Sequence, residues 1–317
     1  MELQNIAAAA HLRSGGATEA DLKERVIEFV GSASIEVTPH DKETLPALRD
    51  MLPGGTAVYI THTPEATTGD VADVACAVED SGFRAYPHLV ARRTRSKDAL
   101  VAALDRLKDA GITRAMLVAG DLSTPTGVFA STLDILDSGV LVSAGINTIG
   151  VAGHPEGHKR IGSTLLWKAL QHKQDYAELS GARIHIVSQF GFNPGALVDW
   201  ERQLTEHGIA LPVHVGIVGP ASLRTLIRYA MLCGIGASLN ALMTNLSAIS
   251  SVKHLVTSAD EMLLQIARAR EDALARRIVQ PHFFSFGGVL QTAQWLQAIR
   301  AGRFEIDADS GTLVVHR

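Results

Sequence analysis

Apolar residues recur at helical spacing at Leu22, Val26, Ile27 and Val30, directly behind Thr18-Glu19-Ala20-Asp21, which has the form of a capping box. The pattern predicts a helix of two or three turns. Beyond it, short β-branched runs alternate with longer amphipathic stretches, the mark of a parallel sheet covered by helices. The runs predict strands near residues 34–37, 57–61, 84–89, 115–119, 145–150, 184–189, 213–217 and 282–285. Helical patterns fall between them at about 44–51, 69–81, 97–110, 127–137, 160–179, 195–207 and 221–233, with another at 289–300. Extra helical segments at 239–250 and 259–276 lengthen the connection before the last strand. Eight strand–helix units favour a closed (β/α)8 barrel over an open doubly wound sheet. Nothing marks a second domain, so residues 1–33 are expected to form a helical extension and 34–317 a single barrel.

Composition narrows the function classes. The 317 residues are 46% hydrophobic and 20% charged, with a net charge of −4, which lacks the basic excess that a phosphate backbone requires. Nucleic acid is not an expected partner. The only cysteines, Cys76 and Cys233, sit in apolar helical patterns and read as buried thiols, so a disulfide framework is excluded. No basic segment followed by an apolar run opens the chain, and no run approaches the roughly 20 apolar residues that cross a bilayer. A soluble, cytoplasmic protein is expected, with no membrane partner.

In α/β barrels the chemistry sits at the carboxyl ends of the strands. Polar residues recur there: Glu36, Thr61, His62, His88, Asp121, His154, His158, Gln189, His214 and Ser285. Singly, each reads more readily as an ordinary hydrogen-bonded strand end; together they predict one polar, His-rich mouth. Glu36 alternates with Ile35 and Val37, so it points either into the mouth, where a desolvated carboxyl can serve as a general acid, or to a surface ion pair. Gly120-Asp121 after Ala119 is either a place for close ligand approach or a plain turn. His154-Pro155-Glu156-Gly157-His158 invites a zinc reading, but Pro155 disfavours the helical geometry that would face the two histidines together, so no metal is expected. Neither a dinucleotide-binding glycine fingerprint nor a P-loop is present, so any flavin or nicotinamide has to be held by barrel loops.

In chain order, Glu36-Val-Thr-Pro39, Val58-Tyr-Ile-Thr61, Pro87-His88-Leu89, Leu117-Val-Ala-Gly120-Asp121-Leu122, His154-Pro-Glu-Gly-His158, Ser188-Gln189-Phe190-x-Phe192 and His214-Val-Gly216-Ile217 resemble the strand-end motifs of methylenetetrahydrofolate reductases. The resemblance covers about residues 34–300. It implies an oxidoreductase of one-carbon metabolism and methionine biosynthesis, with noncovalent FAD in the barrel mouth exchanging hydride with a folate. NADH or NADPH would be the electron partner, and a homo-oligomer is expected from the family's habit. On matching positions, Glu36 would be the general acid. Asp121 would act with it catalytically, through the flavin's electronics, and would bind the pterin together with Gln189 and Phe192. Thr61, His62, His88, Ala119, Gly120, His154 and His158 would hold FAD.

The chain also departs from that pattern. Ala119 stands where the family usually has Arg, His154 where it has Tyr, and Phe192-Asn193 where it has Phe-Asp. The family's Lys three residues before Ala-Gly-Ala has no counterpart ahead of Ser180-Gly181-Ala182. Losing both cations changes the contacts open to FAD phosphates and to a nicotinamide, and suggests a branch working toward oxidation of 5-methyltetrahydrofolate. Two rivals remain at this stage: a metal-dependent hydrolase built on His62, His88, His154, His158 and His214, and a flavin-free folate-binding or methyl-transferring barrel.

Overall fold

Thr18 accepts a hydrogen bond from the Asp21 backbone N–H at 3.2 Å, and the Asp21 carboxylate accepts from the Thr18 N–H at 2.9 Å, so the first helix starts where its capping box predicts. That helix, α1 (Glu19–Gly31), buries Leu22, Val26, Phe29 and Val30. The structure is a computed structural model and describes residues 18–233, 257–271, 275–307 and 312–316.

The elements follow in the order β1 (Ser34–Val37), α2 (Leu45–Met51), β2 (Ala57–Ile60), α3 (Thr68–Asp80), β3 (Arg84–Val90), α4 (Lys97–Asp109) and β4 (Arg114–Val118). Next come α5 (Thr132–Asp137), α6 (Val140–Ser143), β5 (Thr148–Gly153), α7 (Ser163–Ser180), β6 (Arg183–Ser188), α8 (Pro194–Glu206), β7 (Val213–Val218) and α9 (Leu223–Cys233). The described chain ends with α10 (Thr257–Glu271), β8 (Ile278–Phe284), α11 (Val289–Arg300) and a hairpin of β9 (Phe304–Asp307) and β10 (Thr312–Val315). β1 to β8 close into a parallel barrel, with Ser34 in register with His282 at the seam. The chain is a (β/α)8 barrel.

Alternation divides each strand between two environments. Ile35, Val58, Ala85, Leu117, Ile149, Ile186, Val215 and Phe283 join the helices in the main core. Tyr59, Tyr86, His185, His214 and His282 have the opposite parity and come from five different strands. Their rings nevertheless meet, which is possible only inside the barrel.

Several boundaries differ from expectation for identifiable reasons. β5 begins at Thr148 and not near 145, because Gly145 adopts φ 76° and its N–H returns to the Val142 carbonyl, closing α6. Only Thr132–Asp137 and Val140–Ser143 of the fourth connection are helical. Ser131 caps α5, and the loop before it is held by Arg92, which donates to the Ala130 and Leu122 carbonyls. β8 starts four residues earlier than its pattern suggests, through Pro281, a residue that reads against a strand. The hairpin β9–β10 was not expected. Residues 239–250 lie outside the described residues, as does the Cys233 side chain, and Cys76 is half-buried and not buried. Among the described residues, no helix is long and apolar enough to cross a membrane.

At the amino-terminal end of the barrel the buried Glu201 carboxylate accepts from the Arg277 guanidinium at 3.1 Å and from its backbone N–H at 3.2 Å, tying α8 to the start of β8. A Glu201→Gln variant is expected to lose about 2 kcal/mol, because Arg277 keeps its bonds to Ile209 and Thr205 but loses its counter-charge. The urea unfolding midpoint reads this directly, and an unchanged midpoint would refute it.

Candidate functional site

Glu36 lies on the inward row of β1, and its side chain is only 13% exposed. Its Oε1 is 3.3 Å from His282 Nε2 on β8 and 3.8 Å from His88 Nε2 on β3. The other ring nitrogen of His282, Nδ1, is 2.9 Å from the buried Ser34 hydroxyl. Ser285 donates its hydroxyl to the Glu36 carbonyl at 2.6 Å, fixing the backbone that carries the acid. Glu36 therefore points into the barrel and not to a surface ion pair.

Glu36, His282 and Ser34 form a chain with two proton arrangements. If Ser34 donates to the Pro281 carbonyl, 3.5 Å away, His282 Nδ1–H donates to Ser34 and a bare Nε2 faces Glu36, ready to accept from its acid form. If Ser34 turns to donate to Nδ1, Nε2–H donates to the carboxylate. A turn of the Ser34 hydroxyl together with a change of His282 tautomer thus lets the same geometry serve both protonation states of Glu36.

His88 is buried and neutral at physiological pH: burial pushes it down to about 4, against a smaller upward pull from Glu36. Its Nε2 has no hydrogen-bond partner among the described residues. His62 shows the same feature after β2. Nδ1 is 2.9 Å from the Thr63 carbonyl and donates to it, which leaves Nε2 as a buried, bare acceptor. Burial followed by the nearby Arg93 pulls His62 down. Thr61 beside it donates to the Val37 carbonyl at 3.3 Å.

Asp121 follows β4 at the rim with its side chain 74% exposed, and Arg93 from the end of β3 grips Oδ1 at 2.8 and 3.2 Å. Burial raises its pKa, but hydrogen bonds from Arg93 and its own backbone N–H outweigh that and hold it below the usual carboxylate range. Gly120 adopts φ 93°, and a Cβ there would lie 2.6 Å from Val90 Cγ1, so only glycine fits. The Ala119 carbonyl accepts from the Arg92 N–H at 2.9 Å.

After β5, His154 and His158 face each other across a turn at 5.0 Å between ring centres. Burial first and His158 second push His154 down to about 4. Lys173 of α7, 6% exposed, is close enough to His154 to lower it further and has no ion-pair or hydrogen-bond partner among the described residues; burial alone pulls it down to about 8. Gln189, directly after β6, lines a small cleft of about 20 Å³ with Glu156, Ser188, Phe190 and Asn193, and Phe192 sits edge-on to Phe190.

The expected residues therefore fall into neighbouring groups: Glu36 with His88, Asp121 with the β3–β4 rim, His154 with His158, and Gln189 with Phe192. The histidines of the hydrolase reading are dispersed among these groups. His214 stacks on His185 at 4.0 Å deep under Tyr59, and burial pushes the pair down to about 2 and about 3. Among the described residues, no three His, Cys, Asp or Glu side chains come together to hold a metal. The reading from sequence missed Ser34, His282, Arg93 and Lys173. Strand parity could have found His282, which shares the inward row with Phe284; the two cations carry no comparable signal.

A solved candidate phosphonomutase from Burkholderia cenocepacia J2315 aligns with 87% of this chain and 96% of its own at 12% identity, with a TM-score of 0.44, a likeness too loose to carry an argument. The family model for methylenetetrahydrofolate reductase matches residues 43–277, well over half of the chain, from α2 through β7 and α10. The chain belongs to the methylenetetrahydrofolate reductase family.

Proposed function

We propose that the chain interconverts 5,10-methylenetetrahydrofolate and 5-methyltetrahydrofolate as an FAD-dependent oxidoreductase, with NADH or NADPH as electron partner. The observation that carries this reading is the Glu36–His282–Ser34 chain on the inward face of the barrel, a buried carboxyl whose neighbours can hold and pass a proton. In the reducing direction, Glu36 gives its proton to folate N10 as the bond from the bridging carbon to N10 breaks, and the resulting N5 iminium takes up hydride. In the oxidising direction the same carboxylate receives that proton back. Asp121 and Gln189 bind the pterin, with Phe192 beside them.

The residues present fit FAD. Among the described residues, the buried Nε2 atoms of His62 and His88 have no hydrogen-bond partner and the buried Lys173 has no ion pair. Thr61, His62, His88, the Ala119–Gly120 backbone, His154 and His158 would hold the cofactor. Bound there, FAD would supply hydride transfer at N5. The cations missing at Ala119 and before Ser180 have neighbours in space: Arg93 reaches the Asp121 rim from β3, and Lys173 stands one helical turn before Ala177, the position where the family's lysine would fall.

Lys173→Met gives a test that does not require turnover. The native pKa of Lys173 is lowered from 10.5 to about 8, so its ammonium costs stability below pH 8, and the cost disappears above the ordinary value. The FAD-free variant should therefore melt higher than wild type at pH 7 while binding FAD about tenfold or more weakly. Unchanged FAD affinity would remove Lys173 from the cofactor site.

The function itself is tested by the visible spectrum of the purified protein before and after incubation with FAD. Flavin bands that bleach on adding 5-methyltetrahydrofolate or NADH support the proposal, and initial rates in both directions then set its physiological sense. A colourless protein that refuses FAD overturns it.

A further inference from the structure

Barrel interiors are ordinarily filled by branched aliphatic side chains. This barrel holds a polar layer level with the acid. Tyr59 on β2 is fully buried and stands in register with Glu36 on β1 and Tyr86 on β3. Its hydroxyl is 2.8 Å from His185 Nε2, and its ring stacks on Tyr86 with centres 4.5 Å apart and planes 9° from parallel. Burial raises the Tyr59 pKa well above its ordinary value and lowers that of His185 to about 3, so a phenol O–H donates to a neutral imidazole. Gly150 on β5 clears the space: a Cβ there would lie 2.8 Å from Met116 Sδ and 3.1 Å from His185 Nε2.

Neither Tyr59 nor His185 takes part in the proton transfer, and an apolar pair of the same shape would fill their place at about equal stability. What the pair adds is a ring fixed in position. That ring meets His282 with centres 4.5 Å apart and planes at 67°. His282 is itself fully buried, and both of its nitrogens are engaged, Nε2 with Glu36 at 3.3 Å and Nδ1 with Ser34 at 2.9 Å. A tilt of the imidazole would carry Nε2 away from the carboxylate, so the surface against which it rests decides where the proton partner of Glu36 stands. Phe284 also touches His282, at 5.0 Å and 86°, but Phe284 is half-buried, whereas Tyr59 is held at both its face and its hydroxyl.

We infer that Tyr59 is the positioning residue of the acid: its hydroxyl, anchored on His185, fixes a ring that keeps His282 in line with Glu36. The inference rests on the proton transfer between Glu36 and folate N10 proposed above, and adds to it a residue buried beyond the reach of either ligand.

The test follows bleaching of the FAD-loaded protein by 5-methyltetrahydrofolate and by NADH, for wild type, Tyr59→Phe and Tyr59→Leu, each also in a Glu36→Gln background. Reduction by NADH needs no proton from Glu36 and serves as the control. Leucine removes the ring and should slow the folate reaction about tenfold; phenylalanine keeps the ring but frees it from His185, and should slow it about threefold. Folate affinity and the NADH reaction should stay within a factor of two of wild type, so that the loss falls on the rate. In the Glu36→Gln background neither change should cost anything further, because the group through which Tyr59 acts no longer exchanges a proton. A loss shared by both reactions, a loss repeated in full in the Glu36→Gln background, or a Tyr59→Phe rate equal to wild type would overturn the assignment while leaving the folate reading intact. A wild-type flavin that NADH bleaches and folate does not would remove both.

Discussion

Glu36→Gln is expected to slow folate turnover by about 10²- to 10⁴-fold, the usual contribution of a positioned general acid, while FAD binding and flavin reduction by the nicotinamide stay close to wild type. The substitution is nearly isosteric. Its amide can still donate to a bare His282 Nε2, so the contact at 3.3 Å and the Ser285 bond to the backbone survive, and the fold has no reason to change. What disappears is the transferable proton. The decisive measurement is the rate at which 5-methyltetrahydrofolate bleaches the bound flavin, set beside the rate of bleaching by NADH. A selective loss in the folate reaction supports Glu36 as the acid; a variant that keeps full folate turnover removes it from the chemistry. An equal loss in both reactions would mean that the substitution disturbs flavin binding, and the assignment would fail on that side as well.

The inward direction of Glu36 also shows what the sequence could and could not reveal. Alternation around Ile35 and Val37 was enough to put Glu36 on the row opposite the helix-facing core, and the same rule applied to Phe283 would have placed His282 beside it. Capping chemistry at Thr18 was equally local and equally legible, whereas at Gly120 only the structure shows the positive φ and the close approach of Val90 that require glycine. The hairpin could have been read as well, since Phe304-Glu305-Ile306-Asp307 alternates and a glycine follows it at 311. Failures came where a residue's role depends on something remote in sequence. Gly145 resembles a strand start until the preceding turn of helix claims its N–H. Arg93 and Lys173 escaped because absence of a cation was judged at matching positions, whereas a guanidinium reaches Asp121 from the neighbouring strand and a lysine can shift by one turn and still occupy similar space.

These two cations bear on what the mouth binds. Among the described residues the buried Lys173 ammonium has no ion pair and the buried nitrogens of His62 and His88 have no hydrogen-bond partner, so the side of the mouth built by β2 to β5 gains most from an anionic, hydrogen-bonding ligand.

Asp260→Asn is expected to stabilise the protein by about 2–4 kcal/mol at pH 8 and by almost nothing near pH 4. Asp260 lies on α10, 4% exposed, where its carboxyl accepts the Leu313 N–H of β10 and its Oδ1 has no partner among the described residues. Burial pushes its pKa from 3.8 up to about 7, with the Leu313 hydrogen bond pulling weakly the other way. A carboxyl raised in this way binds its proton more tightly in the folded chain than in the unfolded one, so folding stability falls as pH rises from about 4 to 7, and the full penalty is present above that. Asparagine keeps the acceptor for Leu313 and removes the charge, so the gain should grow across the same interval and then level off. Unfolding free energies of both proteins at several pH values between 4 and 8.5 would show this as two curves that meet at the acid end. Parallel curves would mean that Asp260 ionises freely, and would refute the description of the α10–hairpin junction as a buried, uncompensated carboxyl.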